Sequence, residues 1–104
     1  KRQVMVNVEG PWMVHIRFVR GEATHSMQVD QDGEVLQGRY RSQYGERTME
    51  GCVEGDRIRL RVPMHYQAVG ATYVFEGTLE GETLQGRVDL GEYWQGEWEA
   101  KRVE

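Results

Sequence analysis

The chain alternates between apolar and polar positions over most of its length. From Gly10 the even positions read Gly10, Trp12, Val14, Ile16 and Phe18, while His15 and Arg17 stand between them. Between 57 and 66 the even positions are Ile58, Leu60, Val62, Met64 and Tyr66, and the odd ones are Arg57, Arg59, Arg61, Pro63 and His65. A period of two with one apolar face marks a half-buried β-strand, because successive side chains leave a strand on opposite faces. No segment carries the 3.6-residue period of an amphipathic helix. Turn-forming residues interrupt the alternation at Arg20-Gly21, Asp32-Gly33, Tyr44-Gly45, Gly55-Asp56, Gly70, Gly81-Glu82 and Gly91-Glu92. They divide the chain into eight strands at 10–20, 22–30, 35–44, 47–54, 57–66, 71–80, 83–90 and 93–103.

Eight short strands joined in sequence predict an all-β domain, an eight-stranded antiparallel up-and-down β-barrel. Closure removes the two edges that an open meander would expose to pairing with other chains. A two-sheet sandwich is the alternative. Residues 10–104 make the single barrel domain, and residues 1–9, with Val4, Val6 and Val8 alternating ahead of Gly10-Pro11, read as a linker or an extra strand.

One five-residue phrase recurs: LQGRY at 36–40, MEGCV at 49–53, FEGTL at 75–79, LQGRV at 84–88 and WQGEW at 94–98. DGEVLQGRY (32–40) and EGETLQGRV (80–88) align without a gap, but that spacing of 48 occurs once and is no solenoid period. In every copy the glycine shares parity with the apolar residues, so it faces inward, and the Gln or Glu beside it faces water. Glycine weakens a strand and needs a reason. In a narrow barrel it lets the strand coil and leaves room for rings from opposite strands.

Up-and-down order alternates the turns between two ends. One end carries Asp32-Gly33, Gly55-Asp56 and Gly81-Glu82, short acidic turns that read as a closed floor. Toward the other end the inward positions are His25, Ser42, Tyr44, Met49, Met64, Tyr66, Tyr73 and Trp94. Aromatic walls with a few polar tips are what small-molecule pockets use. The expected ligand-binding residues are therefore His25, Tyr44, Met64, Tyr66, Tyr73 and Trp94. Against this stands the plain alternative that these side chains fill the barrel and leave no cavity.

Composition adds limits. With 104 residues and 38% hydrophobic content the chain is sized for one domain with a small core, much of it supplied by three Trp, five Tyr and two Phe. No apolar run approaches the roughly 20 residues of a membrane-spanning helix, and no signal-peptide pattern is present, so neither a membrane nor export is expected. A single Cys52 excludes an internal disulfide and a Cys-based zinc site, and it suits a reducing, cytoplasmic setting. The net charge of −4 gives no general attraction to nucleic acid.

The candidate chemistry is sparse. His25 faces inward with Met27 and Val29, whereas His15 and His65 face outward on strands far apart, which argues against a three-histidine metal site. His25 with Tyr44 or Tyr66 forms a candidate acid–base pair. Arg57, Arg59 and Arg61 make an outward stripe near Arg39 and Arg41, with Glu50 and Glu54 on the intervening strand, a pattern of cross-strand charge pairing. No nucleophile elbow, phosphate loop, zinc-protease helix or dinucleotide fingerprint is present. No metal and no cofactor is expected.

Two resemblances bear on the reading. Gly10-Pro11-Trp12 opens the first strand, and Arg102 lies with inward parity near the end of the last, which closure would make its neighbour. This resembles the structural signature of the calycins, the lipocalins and their relatives, although the chain is shorter than a typical lipocalin and lacks that family's helix. The stretch from Gly10 to Arg102, with HIRFVRGEATHSM, VEGDRI and VDLGEYW, is similar to a small all-β domain appended to the C-terminus of bacterial pyridoxal-phosphate enzymes related to selenocysteine synthase. That resemblance implies an accessory or binding role beside the catalytic domain of a parent protein. It transfers no cofactor lysine, since Lys1 and Lys101 are terminal.

Together these readings predict a non-catalytic accessory or small-molecule-binding barrel with an aromatic-lined interior open at one end, taking a small apolar or aromatic ligand. The alternatives are a small barrel enzyme of isomerase or cyclase type, or an oligomerisation or assembly module using residues 1–9 or the outward face around Cys52.

Overall fold

A computed structural model describes residues 6–19, 21–43, 45–66, 69–90 and 95–103, with backbone alone at 64–66 and 69–71. The strands are β1 (Gly10–Phe18), β2 (Gly21–Asp32), β3 (Val35–Ser42), β4 (Gly45–Glu54), β5 (Arg57–Tyr66), β6 (Val69–Glu80), β7 (Thr83–Asp89) and β8 (Gln95–Arg102). Each pairs antiparallel with the next, and β8 pairs back onto β1, so the sheet closes as a barrel in sequence order. The sandwich alternative is thereby excluded.

The inward face is continuous and apolar. Trp12, Val14 and Ile16 of β1, Leu36 and Tyr40 of β3, Leu60 and Val62 of β5, Phe75 of β6 and Leu84 of β7 are all essentially inaccessible to solvent. No polar or charged residue is fully buried among the described residues. Outward positions carry the charges, as the strict alternation requires.

The floor turns share one construction. Gly33, Gly55 and Gly81 each follow the last residue of a strand with φ of 64°, 63° and 65°, and each is followed by an acidic residue. A positive φ at the first position of a two-residue hairpin turn matches the twist of the flanking strands, and glycine adopts it without penalty.

Of the two causes expected for the recurring inward glycines, coiling of the strands outweighs room for rings. A Cβ placed on Gly38, Gly51, Gly77, Gly86 or Gly96 would lie less than 3.0 Å from a backbone carbonyl oxygen of the adjacent strand. The blocking atoms belong to Gln28, Arg59, Gln85, Glu76 and Arg17 respectively. The strands coil so tightly that a neighbouring peptide folds over the Cα. Room for a ring is the lesser reason: it applies at Gly77, where the Trp98 ring lies 3.1 Å from the same Cβ position. Trp98 sits two strands away on β8 rather than across the barrel, and its indole N–H donates to the Glu76 carbonyl at 3.1 Å.

The floor is sealed by residues 6–9, an irregular strap that crosses it ahead of β1. The Val6 N–H donates to the Gly55 carbonyl at 3.0 Å, and the Trp12 indole N–H donates to the Val8 carbonyl at 2.9 Å. Gln31 clamps the strap from β2: its side-chain oxygen accepts from the Val8 N–H at 2.8 Å and its amide donates to the Val6 carbonyl at 3.1 Å. Arg102 donates to the Asn7 and Glu9 carbonyls, each at 2.8 Å, and pairs with Glu82 at 2.7 Å. Its guanidinium carbon lies 4.5 Å from the centroid of the Trp12 ring, so the expected packing of Arg102 across Trp12 is present. A guanidinium suits this place because its planar fork can stack and donate in several directions at once.

Candidate functional site

At the end opposite the strap the barrel is hollowed. A cavity of about 450 Å³ is walled by Ile16 and Phe18 of β1, Ala23 and His25 of β2, Ser42 of β3 and Tyr73 of β6. The first three strands are neighbours, whereas β6 lies across the barrel from them, so the space belongs to the mouth. Glu22, Thr24 and Gln43 form its outer rim. The volume falls in the range of small-molecule sites.

His25 is half-buried in this wall. Its Nδ1 lies 2.5 Å from the hydroxyl of Tyr40, whose side chain is fully buried, and the two rings meet edge to face with centroids 5.2 Å apart. The register explains the contact. Met27 stands opposite Tyr40 across β2 and β3, so His25, two residues along, reaches it diagonally. Burial lowers the His25 pKa below its ordinary 6.5. Burial also holds the Tyr40 phenol far above its ordinary value, and the nearby Tyr73 adds to that shift. Both groups are therefore neutral across the physiological range, because a low-dielectric surrounding disfavours the charged form of each.

Below the cavity a row of rings crosses the interior. Tyr40 meets Phe75 with centroids 5.5 Å apart, Phe75 meets Trp98 edge to face at 5.1 Å, and Tyr73 meets Phe75 at 6.4 Å. Such pairs contribute about 0.5–1.5 kcal/mol each beyond the area they bury. They pack the interior behind Tyr73, which is the ring of this group that lines the cavity, and the strap closes the barrel at its other end.

Of the six residues expected to bind ligand, His25 and Tyr73 meet at this cavity. Tyr44 and Trp94 lie outside the described residues, as do the side chains of Met64 and Tyr66. Among the described residues the hydroxyl that reaches His25 belongs to Tyr40; the expected partner hydroxyls, those of Tyr44 and Tyr66, lie outside the described residues. Tyr40 shares inward parity with His25 on the adjacent strand, and that parity was the available signal. Gln31, which ties the strap to the floor, gave none, because its hydrogen bonds join residues 23 and 25 positions apart.

The outer surface is a lattice of cross-strand ion pairs. Arg61 pairs with Glu50 at 3.2 Å, and Arg59 pairs with Glu76 at 3.5 Å. Arg39 and Arg41 both converge on Glu46, at 3.1 and 3.3 Å, instead of on Glu50 or Glu54. The Arg39 and then the Arg41 hydrogen bond hold the Glu46 carboxyl below its usual range. One register row runs Arg59, Glu76, Arg87, Glu97, Arg17, Glu22 from β5 round to β2, with alternating sign at every step. The Glu22 carboxylate also lies 3.0 Å from His15 Nε2 on the outside of the barrel. Cys52 is exposed on this surface. Among the described residues no group of three or more His, Cys, Asp or Glu is arranged to hold a metal ion.

No protein-family model matches the chain, and no curated protein matches its sequence.

Proposed function

We propose that this barrel is a non-catalytic small-molecule-binding domain that takes its ligand at the rim walled by Ile16, Phe18, Ala23, His25, Ser42 and Tyr73. The observation that carries the reading is the cavity of about 450 Å³ between β1–β3 and β6, at the end away from the strap. Its lining joins the apolar and aromatic side chains of Ile16, Phe18, Ala23 and Tyr73 to the polar groups of Glu22, Thr24, His25, Ser42 and Gln43, and the Tyr73 ring packs on the buried Phe75. A preformed site of this kind binds with little ordering cost. In a larger protein such a domain would serve as an accessory module that captures or senses a ligand.

The acid–base reading has less support. Among the described residues Tyr40 is the hydroxyl within reach of His25, and it is fully buried with its ionisation suppressed, whereas a useful catalytic group has a pKa near the working pH.

The test is titration with N-phenylnaphthylamine, a neutral fluorophore that brightens in apolar surroundings, beside an Ala23→Trp variant whose indole would occupy the mouth. The native chain should show saturable enhancement and a higher thermal midpoint with the probe, by mass action on the folded state. A folded Ala23→Trp chain should show neither. No enhancement with the native chain, or undiminished enhancement with the variant, would reject the rim as the site.

A further inference from the structure

Resting on that reading, we infer that the rim site selects neutral ligands carrying a carbonyl-type hydrogen-bond acceptor on an aromatic or alicyclic body, and that His25 Nε2–H is the donor that recognises it. Tyr40 sets the state of the His25 ring. Its hydroxyl is buried, and among the described residues its hydrogen-bond partner is His25 Nδ1. A phenol can give its proton to the imidazole or accept one from it. If Nδ1 carried the hydrogen, the Tyr40 proton would be left buried with no acceptor, which is the costlier arrangement. The phenol therefore donates to Nδ1. A neutral imidazole then carries its one hydrogen on Nε2, on the side of the ring away from Tyr40.

Among the described residues no side chain or carbonyl accepts from that Nε2, while His25 lines the cavity. The mouth thus presents a fixed N–H donor on His25 beside the hydroxyls of Ser42 and Tyr73 and the apolar side chains of Ile16, Phe18 and Ala23. A ligand filling the space without an acceptor would strip water from this donor and return nothing. A ligand with a carboxylate would bury its charge among neutral donors alone, since no Lys or Arg is among the described residues that line the cavity. A neutral carbonyl meets both conditions. Tyr40 acts here as a positioning residue, setting the tautomer that its neighbour presents.

The experiment compares naphthyl methyl ketone, ethylnaphthalene and naphthoate as competitors of N-phenylnaphthylamine, with ¹⁵N spectroscopy of the native chain to read the His25 tautomer. The ketone should bind about two- to tenfold more tightly than the hydrocarbon, the worth of one net hydrogen bond. Naphthoate should be the weakest of the three. In His25→Phe the ketone and hydrocarbon should become equal, with hydrocarbon binding retained. In Tyr40→Phe the ¹⁵N shifts should move toward a mixture of the two tautomers, a change that a purely structural role for Tyr40 would not produce. Nδ1 found protonated in the native chain overturns the inference whatever binds. So does equal ketone and hydrocarbon affinity, tightest binding of naphthoate, or failure of all three to displace a bound probe; in these cases the rim remains a binding site. Failure of N-phenylnaphthylamine itself to bind removes both the site and its selectivity.

Discussion

Replacing Gly86 by alanine tests why the same five-residue phrase recurs. In β7 a Cβ at position 86 would lie within 3.0 Å of three backbone atoms of β6: the Glu76 carbonyl oxygen and carbon, and the Gly77 Cα. None is the yielding end of a side chain, so two hydrogen-bonded strands must separate or the barrel must uncoil locally. Overpacking of this kind costs about 1–3 kcal/mol, and the rigid obstacle argues for the upper half of that range. Alanine also restricts the unfolded chain, which returns about 0.4–1 kcal/mol. The net expectation is a loss of roughly 2 kcal/mol. For a domain of this size that lowers the thermal midpoint by roughly 8–16 °C. Gly21 is the internal control, because a Cβ there meets nothing within 4 Å. Gly21→Ala should be neutral or slightly stabilising. Urea unfolding followed by tryptophan fluorescence gives both values, with an unchanged slope showing that stability has changed and the surface exposed on unfolding has not. If Gly86→Ala falls within about 0.5 kcal/mol of the native chain, or matches Gly21→Ala, close strand approach is not the reason for these glycines.

Three further outcomes follow from the same geometry. Arg102→Ala removes two 2.8 Å bonds to strap carbonyls and the stacking on Trp12, and should cost about 2–3 kcal/mol, with faster amide exchange at Val6 and Val8; Arg102→Lys should recover less than half, because an ammonium cannot stack and reach Asn7, Glu9 and Glu82 together. Stability measured against pH should fall on both sides. Below the ordinary histidine value of 6.5 the unfolded chain takes up a proton that folded His25, with its lowered pKa, resists, and His25→Phe should flatten that limb. Above the ordinary tyrosine value of 10.0 the unfolded chain releases a proton that buried Tyr40 retains, so stability should decline there and Tyr40→Phe should lessen the decline. Arg87→Glu places a carboxylate between Glu76 and Glu97 and should cost about 0.2–1 kcal/mol in low salt, most of it recovered in 1 M NaCl, since like charges opposed across strands repel and exposed charges are screened. An effect insensitive to salt would count against the charge row.

Much of the barrel was legible before any coordinates. The period of two placed Trp12, Val14 and Ile16 inward and Arg57, Arg59 and Arg61 outward, and glycine-acid pairs marked the three floor turns. Parity also put His25 and Tyr73 on the inner face toward one end, where both line the cavity. Other parts were out of reach. Gln31 carries no periodic signature for binding residues 6–9, and Glu46 differs in no local way from Glu50 or Glu54, yet it receives both Arg39 and Arg41.

The sequence by itself determined which residues form strands, which face each side chain takes and the order in which the strands follow. Those properties are local: they depend on alternation and turn chemistry over a few residues. Tertiary structure decided what depends on the curvature and stagger of the closed sheet. Closure in this register set Trp12 opposite Arg102, and tight coiling brought a neighbour's carbonyl over each recurring glycine. The register of β2 on β3 gave His25 the Tyr40 hydroxyl as its partner. A two-residue slip would have kept every inward position inward and changed every one of these neighbours. Parity survives such a slip and contacts do not, which is why the inner face could be read from the chain and the arrangement at its mouth could not.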